Sequence, residues 1–178
     1  MHEAEKPARR LHIGGWEQRD GWEILDAVPR DGVHHLGDAA DLSRFPDGTF
    51  AEVYASHVLE HFDFSEDVPL VLKEWCRVLQ PGGRLSVSVP DLERLCHLYL
   101  TPGLAPEGRL KIMWMIFGAH ADSYDYHLVG FDEHYLGSAL QAAGFTGIQR
   151  VAAFNLFTDT SSMQVLGVPI SLNMTATR

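Results

Sequence analysis

Two stretches decide the fold: GDAADLSRFPDGTFAEVYASHVLEHF (residues 37–62) and LKEWCRVLQPGGRLSVSVPD (residues 72–91). In the first, a Pro-Asp-Gly turn leads into an apolar run at 52–55 that predicts a buried strand. In the second, a Pro-Gly-Gly turn ends a helical pattern, and alternating residues at 84–89 predict another strand. A strand, a helix and a strand in this order predict a parallel βαβ unit.

The helix of this unit is predicted to run to about Leu79, with Ser65 as its N-cap. Its apolar residues keep the spacing of one buried helical face: Val68, Val71, Leu72, Trp75 and Leu79. The helix should therefore pack one side against the sheet.

Further strands and helices surround this unit. Strands are predicted at 11–13, 22–25 and 33–36, helices at 91–100, 106–119 and 132–143, and two closing strands at 148–156 and 162–170. The alternation predicts a mostly parallel α/β sheet with an antiparallel addition at one edge. Only about eight residues separate Ile13 from Trp22, so the first crossover helix should be shortened or absent.

In a sheet of this class, ligands bind beyond the carboxyl ends of the strands. The residues that leave the predicted strands are Gly14, Asp26, Asp38, the pair Ser56-His57 and the pair Pro90-Asp91. The sequence pattern alone therefore marks these positions for a site.

The two quoted stretches resemble the small "type 11" class I S-adenosylmethionine (SAM)-dependent methyltransferases. Upstream LHIGGW and downstream HLVGFDEHYLGSALQAAGF extend the resemblance over most of residues 11–150. It implies a single Rossmann-like domain over residues 1–178, whose seven-stranded sheet has the order 3-2-1-4-5-7-6 with strand 7 antiparallel. Residues 1–10 are expected to form a flexible arm, and 91–131 a helical lid or insertion on the acceptor side.

The resemblance implies SAM as the cofactor. A carboxylate leaving strand two suits the ribose diol, which assigns Asp26 to the ribose. Asp38, with the backbone of Ala39, falls at the adenine, and Asp41 is the second choice there. The expected cofactor residues are Gly14, Gly15, Asp26, Asp38, Ala39 and Ser56, and the glycines permit close backbone approach to the methionine moiety.

The expected reaction is in-line transfer of the sulfonium methyl to an oxygen or nitrogen nucleophile. His57 or His127 is expected to act as catalytic base, since histidine titrates near neutral pH. His127 lies where the family often has a histidine facing the site. A SAM-binding protein that does not catalyse transfer and serves as an interaction module is the alternative.

The run His57-Val58-Leu59-Glu60-His61 also matches the H-x-x-E-H signature of a class of zinc peptidases. That motif belongs on a long helix, whereas here it leaves a predicted strand. Some methyltransferases hold a divalent metal with E-x-x-E-H at this place, so His57, Glu60 and His61 are a second candidate set. In other relatives the Leu-Glu-His segment only packs within the fold, and we expect no metal.

Composition restricts the partners. The formal net charge is −10 over 178 residues, which disfavours DNA phosphates. No apolar run approaches the length of a membrane span, and the two cysteines form no disulfide framework, so a cytoplasmic location is expected. A small-molecule, sugar or lipid-intermediate acceptor is predicted. The missing helix should leave one sheet face uncovered, which predicts a homodimer.

Overall fold

The computed structural model describes residues 8–121 and 123–178. The strands are β1 Arg10–Ile13, β2 Trp22–Asp26, β3 His35–Leu36, β4 Phe50–Ser56, β5 Leu79–Pro90, β6 Thr146–Val151, β7 Gln164–Val165, β8 Val168–Pro169 and β9 Ser171–Thr177. The helices are α1 Asp67–Val78, α2 Leu92–Tyr99, α3 Pro106–Phe117 and α4 Glu133–Ala142, with short 3-10 turns at Leu59–His61 and Thr160–Ser162. Of the arm predicted at 1–10, residues 1–7 lie outside the described part, and Arg10 already belongs to β1.

The main sheet has seven strands in the order β3-β2-β1-β4-β5-β9-β6. β9, the last strand in sequence, pairs antiparallel with both β5 and β6, while the other neighbours are parallel. The predicted fold class, strand order and antiparallel last strand are therefore confirmed.

One closing strand was predicted in the wrong place. The antiparallel strand is Ser171–Thr177 rather than 162–170, where the structure has the end of a 3-10 turn and the small β7–β8 hairpin. Leu166 and Gly167, both with positive φ, form the two-residue turn of that hairpin. β9 lies between two strands and is buried on both faces, although its sequence alternates polar and apolar residues like that of a half-exposed strand.

Helix α1 buries the predicted apolar stripe, including Val68, Leu72 and Trp75, but it begins later than predicted. Ser65 is not its N-cap. The carboxylate of Asp63 accepts hydrogen bonds from the backbone N–H of Ser65 at 2.8 Å and of Glu66 at 3.2 Å. A carboxylate two residues upstream therefore orders the turn that enters the helix.

No helix lies between β1 and β2, as predicted. Leu11 and Ile13 face the large core beneath α1, and His12 between them faces the opposite side of the sheet. There the ring of His12 lies 4.1 Å from that of Phe157, in a cluster that also holds Trp22 and Tyr54. The segment that includes Phe157 therefore covers the face on which we predicted a homodimer.

Helix α3 is not a core helix, although its second half, residues 112–117, is entirely apolar. Only Ile112 is buried, against Leu95 and Leu98 of α2. Met113, Trp114 and other apolar residues of α3 are exposed. Among the described residues, no helix combines the length and the apolar character that crossing a membrane requires.

Candidate functional site

A cavity of about 760 Å³ opens at the carboxyl ends of β1, β2 and β4, the edge at which the sequence places a ligand. Five residues predicted for the site line it: Gly14, Asp26, Asp38, Ala39 and His57. Three others, Gly15, Ser56 and His127, are not among its lining residues. The lining residues that the sequence analysis did not select include Trp16, Arg30, Val58, Tyr126 and Leu128, and His61, named there only as a candidate metal ligand, also lines the cavity.

Gly14 makes the turn that leaves β1. Its φ is +69°, and its N–H donates to the carbonyl of Leu25 at 2.8 Å. A Cβ at Gly14 would lie 2.7 Å from Cγ2 of Val58, so only glycine fits without displacing that side chain. Gly15 is required for a different reason, because a Cβ there would lie 2.5 Å from the ring of His12 on the far side of the sheet.

Asp26 ends β2 at the rim of the cavity and is already engaged by protein groups. One carboxylate oxygen lies 2.8 Å from Nη1 of Arg30, and the other accepts from the N–H of Val28 at 2.7 Å. The guanidinium of Arg30 also lies over the indole of Trp16 at 4.0 Å and donates to the carbonyl of Gly15. Trp16 and Arg30 thus form the wall at the place where the first crossover helix is missing.

The loop after β3 forms the next part of the rim. The exposed carboxylate of Asp38 accepts from the N–H of Ala40 at 2.8 Å, a local turn contact. Ala39 is buried, and its carbonyl accepts from Nε1 of Trp75 at 2.9 Å, which attaches the loop to α1. Burial of this loop against a core helix holds the backbone of residues 38–40 at the cavity.

His57 follows β4 directly and has a positive φ of 55°. Its Nε2 lies 2.9 Å from Oγ of Ser171, whose hydroxyl donates to the carbonyl of Thr160 at 2.8 Å. Because the hydroxyl has one proton, Nε2 must be the donor to Ser171. Nδ1 lies 3.2 Å from Oε1 of Glu60, so both ring nitrogens face protein groups. The prediction that His57 is the base stays a prediction, and it requires the ring to turn.

A second group of side chains meets at this end of the cavity. Glu60, His61 and His127 each bring one candidate ligand atom to within 4.8 Å of the others. Glu60 has no exposed surface, while the two histidines are half-buried with ring centroids 5.0 Å apart. We call these three residues the Glu-His-His cluster. It differs from the set that the sequence suggested, because His127 replaces His57.

The electrostatics of this cluster favour an ionised glutamate and neutral histidine. Burial opposes ionisation of Glu60, but the neighbouring rings of His57 and His61 hold the pKa of its carboxyl below the ordinary value. Burial lowers the pKa of His127, against the opposing influence of Glu60. The cluster therefore presents one carboxylate and at least one neutral imidazole.

The surrounding backbone does not suit a zinc peptidase. The segment containing His57 and His61 is a strand end followed by a single 3-10 turn, Leu59–His61. The peptidase motif depends on a helix that aligns its two histidines on one face. Here His57 bonds to Ser171 on β9 and His61 to the carbonyl of Tyr126, so the two rings have separate surroundings.

Comparison with known proteins agrees with this geometry. Residues 24–87 match the family model described as "Methyltransferase domain". No curated protein matches the sequence. Among solved structures, the chain is similar to a SAM-dependent methyltransferase from Mesorhizobium loti, with 19% identity, a TM-score of 0.58, and coverage of 97% of this chain and 91% of that one.

Two further structures share the fold. A SAM-dependent methyltransferase from Archaeoglobus fulgidus has 17% identity and a TM-score of 0.59, over 96% of this chain and 86% of that one. The 1,6-didemethyltoxoflavin-N1-methyltransferase of Burkholderia thailandensis, solved with its substrate and S-adenosylhomocysteine, has 19% identity and a TM-score of 0.60. The alignment with it spans 97% of this chain and 72% of that one.

Proposed function

We propose that this chain is a class I SAM-dependent methyltransferase, and the methyltransferase-domain match over residues 24–87 and the strand order of the sheet support this. The proposed activity is transfer of the methyl group of SAM to an oxygen or nitrogen of a small-molecule, sugar or lipid-intermediate acceptor. One observation carries the proposal: a glycine turn with positive φ and two carboxylates, contributed by Gly14, Asp26 and Asp38, line a single cavity at the carboxyl ends of the strands.

The cofactor is proposed to lie along the ends of β1 and β2. Asp26 would accept hydrogen bonds from the ribose hydroxyls, since a carboxylate has about four acceptor positions and the contacts with Arg30 and Val28 leave others. Asp38 and the backbone of Ala39 would hold the adenine. Gly14 lets the methionine moiety approach the backbone of the first turn, where Gly15 keeps the chain against His12.

The acceptor is proposed to lie beside the Glu-His-His cluster, between His61 and the segment containing Tyr126 and Leu128. In the reaction the sulfur–methyl bond breaks, its electron pair stays on sulfur, and a lone pair of the acceptor forms the new bond. The acceptor then loses its proton towards the cluster. Most of the acceleration comes from holding donor and acceptor in line within a confined cavity.

Calorimetric titration of the purified chain with SAM and with S-adenosylhomocysteine tests the cofactor proposal. We expect one molecule of either ligand to bind per chain, and the absence of binding by both would refute the proposal. A radiolabelled methyl-transfer assay over hydroxyl, amine and carboxyl acceptors then tests the activity. Tight binding with no turnover on any acceptor would favour the non-catalytic interaction module instead.

A further inference from the structure

The carboxylate of Glu60 has an unusual environment. It has no exposed surface, and among the described residues neither of its oxygens accepts a hydrogen bond from protein. Nδ1 of His57 lies 3.2 Å from Oε1, close enough for an ion pair but not aligned as a hydrogen bond. A buried carboxylate with unused lone pairs is costly unless a cation lies against it. The oxygen atoms of Glu60 therefore indicate a positively charged partner at this point.

Two imidazoles beside Glu60 are oriented in the manner of metal ligands. Nδ1 of His61 lies 3.1 Å from the carbonyl of Tyr126, and Nδ1 of His127 lies 3.3 Å from the carbonyl of Ile116. A carbonyl only accepts, so each Nδ1 carries a proton, and in the neutral ring Nε2 then has the lone pair that a metal ion needs. A histidine that binds a metal usually donates its other N–H to a backbone carbonyl in this way.

The backbone holds the two halves of the cluster together. The N–H of Leu128 donates to the carbonyl of Glu60 at 2.8 Å, and the N–H of His127 donates to the carbonyl of Phe117 at 3.0 Å. These bonds fix the segment around His127 against the turn that follows β4. The arrangement of the three side chains is therefore set by the fold, and each contributes a ligand atom within 4.8 Å of the others.

We propose that Glu60, His61 and His127 form a binding site for one divalent transition-metal ion. Two imidazoles and one carboxylate suit zinc, manganese, iron(II) or cobalt(II), and three protein ligands leave coordination positions open. His57 is not a ligand. Its Nε2 bonds to Ser171, and the ring keeps its place next to the glutamate.

The proposed metal site extends the proposed function. Any catalytic role of the metal ion rests on the proposed methyl transfer. Of the three ligands, His61 lines the cavity, so an open coordination position on this side faces the acceptor. An acceptor hydroxyl placed there would lose its proton more readily, because a bound cation lowers the pKa of an oxygen ligand. The inference therefore favours a hydroxyl-bearing acceptor.

Titration of the metal-free protein with cobalt(II), followed by visible absorption, tests the site without SAM or turnover. We expect one ion per chain with the intense bands of a low-symmetry site, and at least tenfold weaker binding in Glu60→Gln and in His127→Gln. His61→Asn, at the cavity side, is a third variant that spares the buried positions. The exposed His134→Ala should bind cobalt as the wild type does, and circular dichroism confirms that each variant is folded.

A wild-type protein without stoichiometric cobalt binding, or folded cluster variants that bind as tightly as wild type, would overturn the site. SAM titration in the presence of a chelator separates this inference from the proposed function. Cobalt binding without SAM binding would leave the metal site standing and refute the proposed methyl transfer. SAM binding without cobalt binding would refute the metal site and leave the proposed methyl transfer standing.

Discussion

Nδ1 of His57 lies 3.2 Å from Oε1 of Glu60, a carboxylate with no exposed surface. The opposite ring nitrogen of His57 is bound to Ser171 on β9. The histidine therefore links the end of β4 to β9 and places its other ring nitrogen against the buried glutamate. This arrangement explains why a residue with positive φ is a histidine and not a glycine.

Replacing His57 should destabilise the fold through Glu60. We predict that His57→Asn, which tolerates positive φ, lowers the free energy of unfolding by about 2–4 kcal/mol, because it leaves a buried charge without its nearest partner. In a Glu60→Gln background the same change should cost less than about 1 kcal/mol. Urea unfolding of the wild type, the two single variants and the double variant measures these free energies. If His57→Asn costs the same free energy in the wild type and in Glu60→Gln, the two residues are not coupled. The control is His97→Asn, at an exposed position.

Asp26 should contribute directly to cofactor affinity. We predict that Asp26→Asn weakens SAM binding roughly 10- to 100-fold, which corresponds to about 1–3 kcal/mol for hydrogen bonds to a charged group. Calorimetry measures the change, and the exposed Asp31→Asn is the matched control. Unchanged affinity in Asp26→Asn would remove this residue from the ribose.

Arg30 should weaken SAM binding in the wild-type protein. Its guanidinium holds the carboxylate of Asp26 at 2.8 Å and adds a positive charge beside a cofactor whose sulfonium is also positive. We predict that Arg30→Ala tightens SAM binding about two- to fivefold, the scale of a partly exposed ion pair. The exposed Lys73→Ala on α1 should have no effect. Weaker SAM binding in Arg30→Ala would contradict this and indicate that Arg30 contacts the cofactor favourably.

His12 should make the stability depend on pH. Burial lowers the pKa of His12 from 6.5 to about 4, despite the opposing charges of Asp159 and Glu17. Between these values the unfolded chain binds a proton that the folded protein does not, so stability is full above pH 6.5 and falls as the pH drops towards 4. The loss from this residue should be on the order of 3 kcal/mol.

Denaturant unfolding of wild type and His12→Phe across this pH range measures that contribution. The phenylalanine keeps the ring contact with Phe157 but has no titrating group. We expect the variant to lose less stability on acidification than the wild type. Parallel curves for the two proteins would contradict the assignment to His12.

Phe157 should protect the sheet face that lacks a helix. Its ring lies 4.1 Å from His12, 4.9 Å from Tyr54 and 5.2 Å from Trp22. We predict that Phe157→Ala lowers the free energy of unfolding by about 3 kcal/mol and promotes self-association, because it exposes aromatic surface. Phe64→Ala, at a site with 56% exposure, should change stability by less than about 0.5 kcal/mol. Light scattering that finds the same mass for wild type and Phe157→Ala would contradict the second expectation.

The parts of the structure that were predicted correctly have strong local signals. The apolar stripe of α1 and the turn residues around β4 and β5 predicted the central βαβ unit, and the short gap before Trp22 predicted the missing helix. Strand β9 was misplaced although Ser171, Asn173 and Thr175 alternate with apolar residues, and these three polar side chains are buried instead of facing solvent. Asn173 donates to two backbone carbonyls, and such long-range partners leave no trace in a local window.

By itself, the sequence determined the class of fold, the edge of the sheet at which the cavity opens, and several residues that line it, including Gly14, Asp26 and Asp38. These conclusions follow from periodicity and turn chemistry, which act over a few neighbouring residues. Only the tertiary structure decided that Arg30 engages Asp26 and that His127, rather than His57, completes the cluster with Glu60. Those pairings depend on how separate segments pack together, as in the bond from Leu128 to the carbonyl of Glu60, and no spacing within the sequence encodes them.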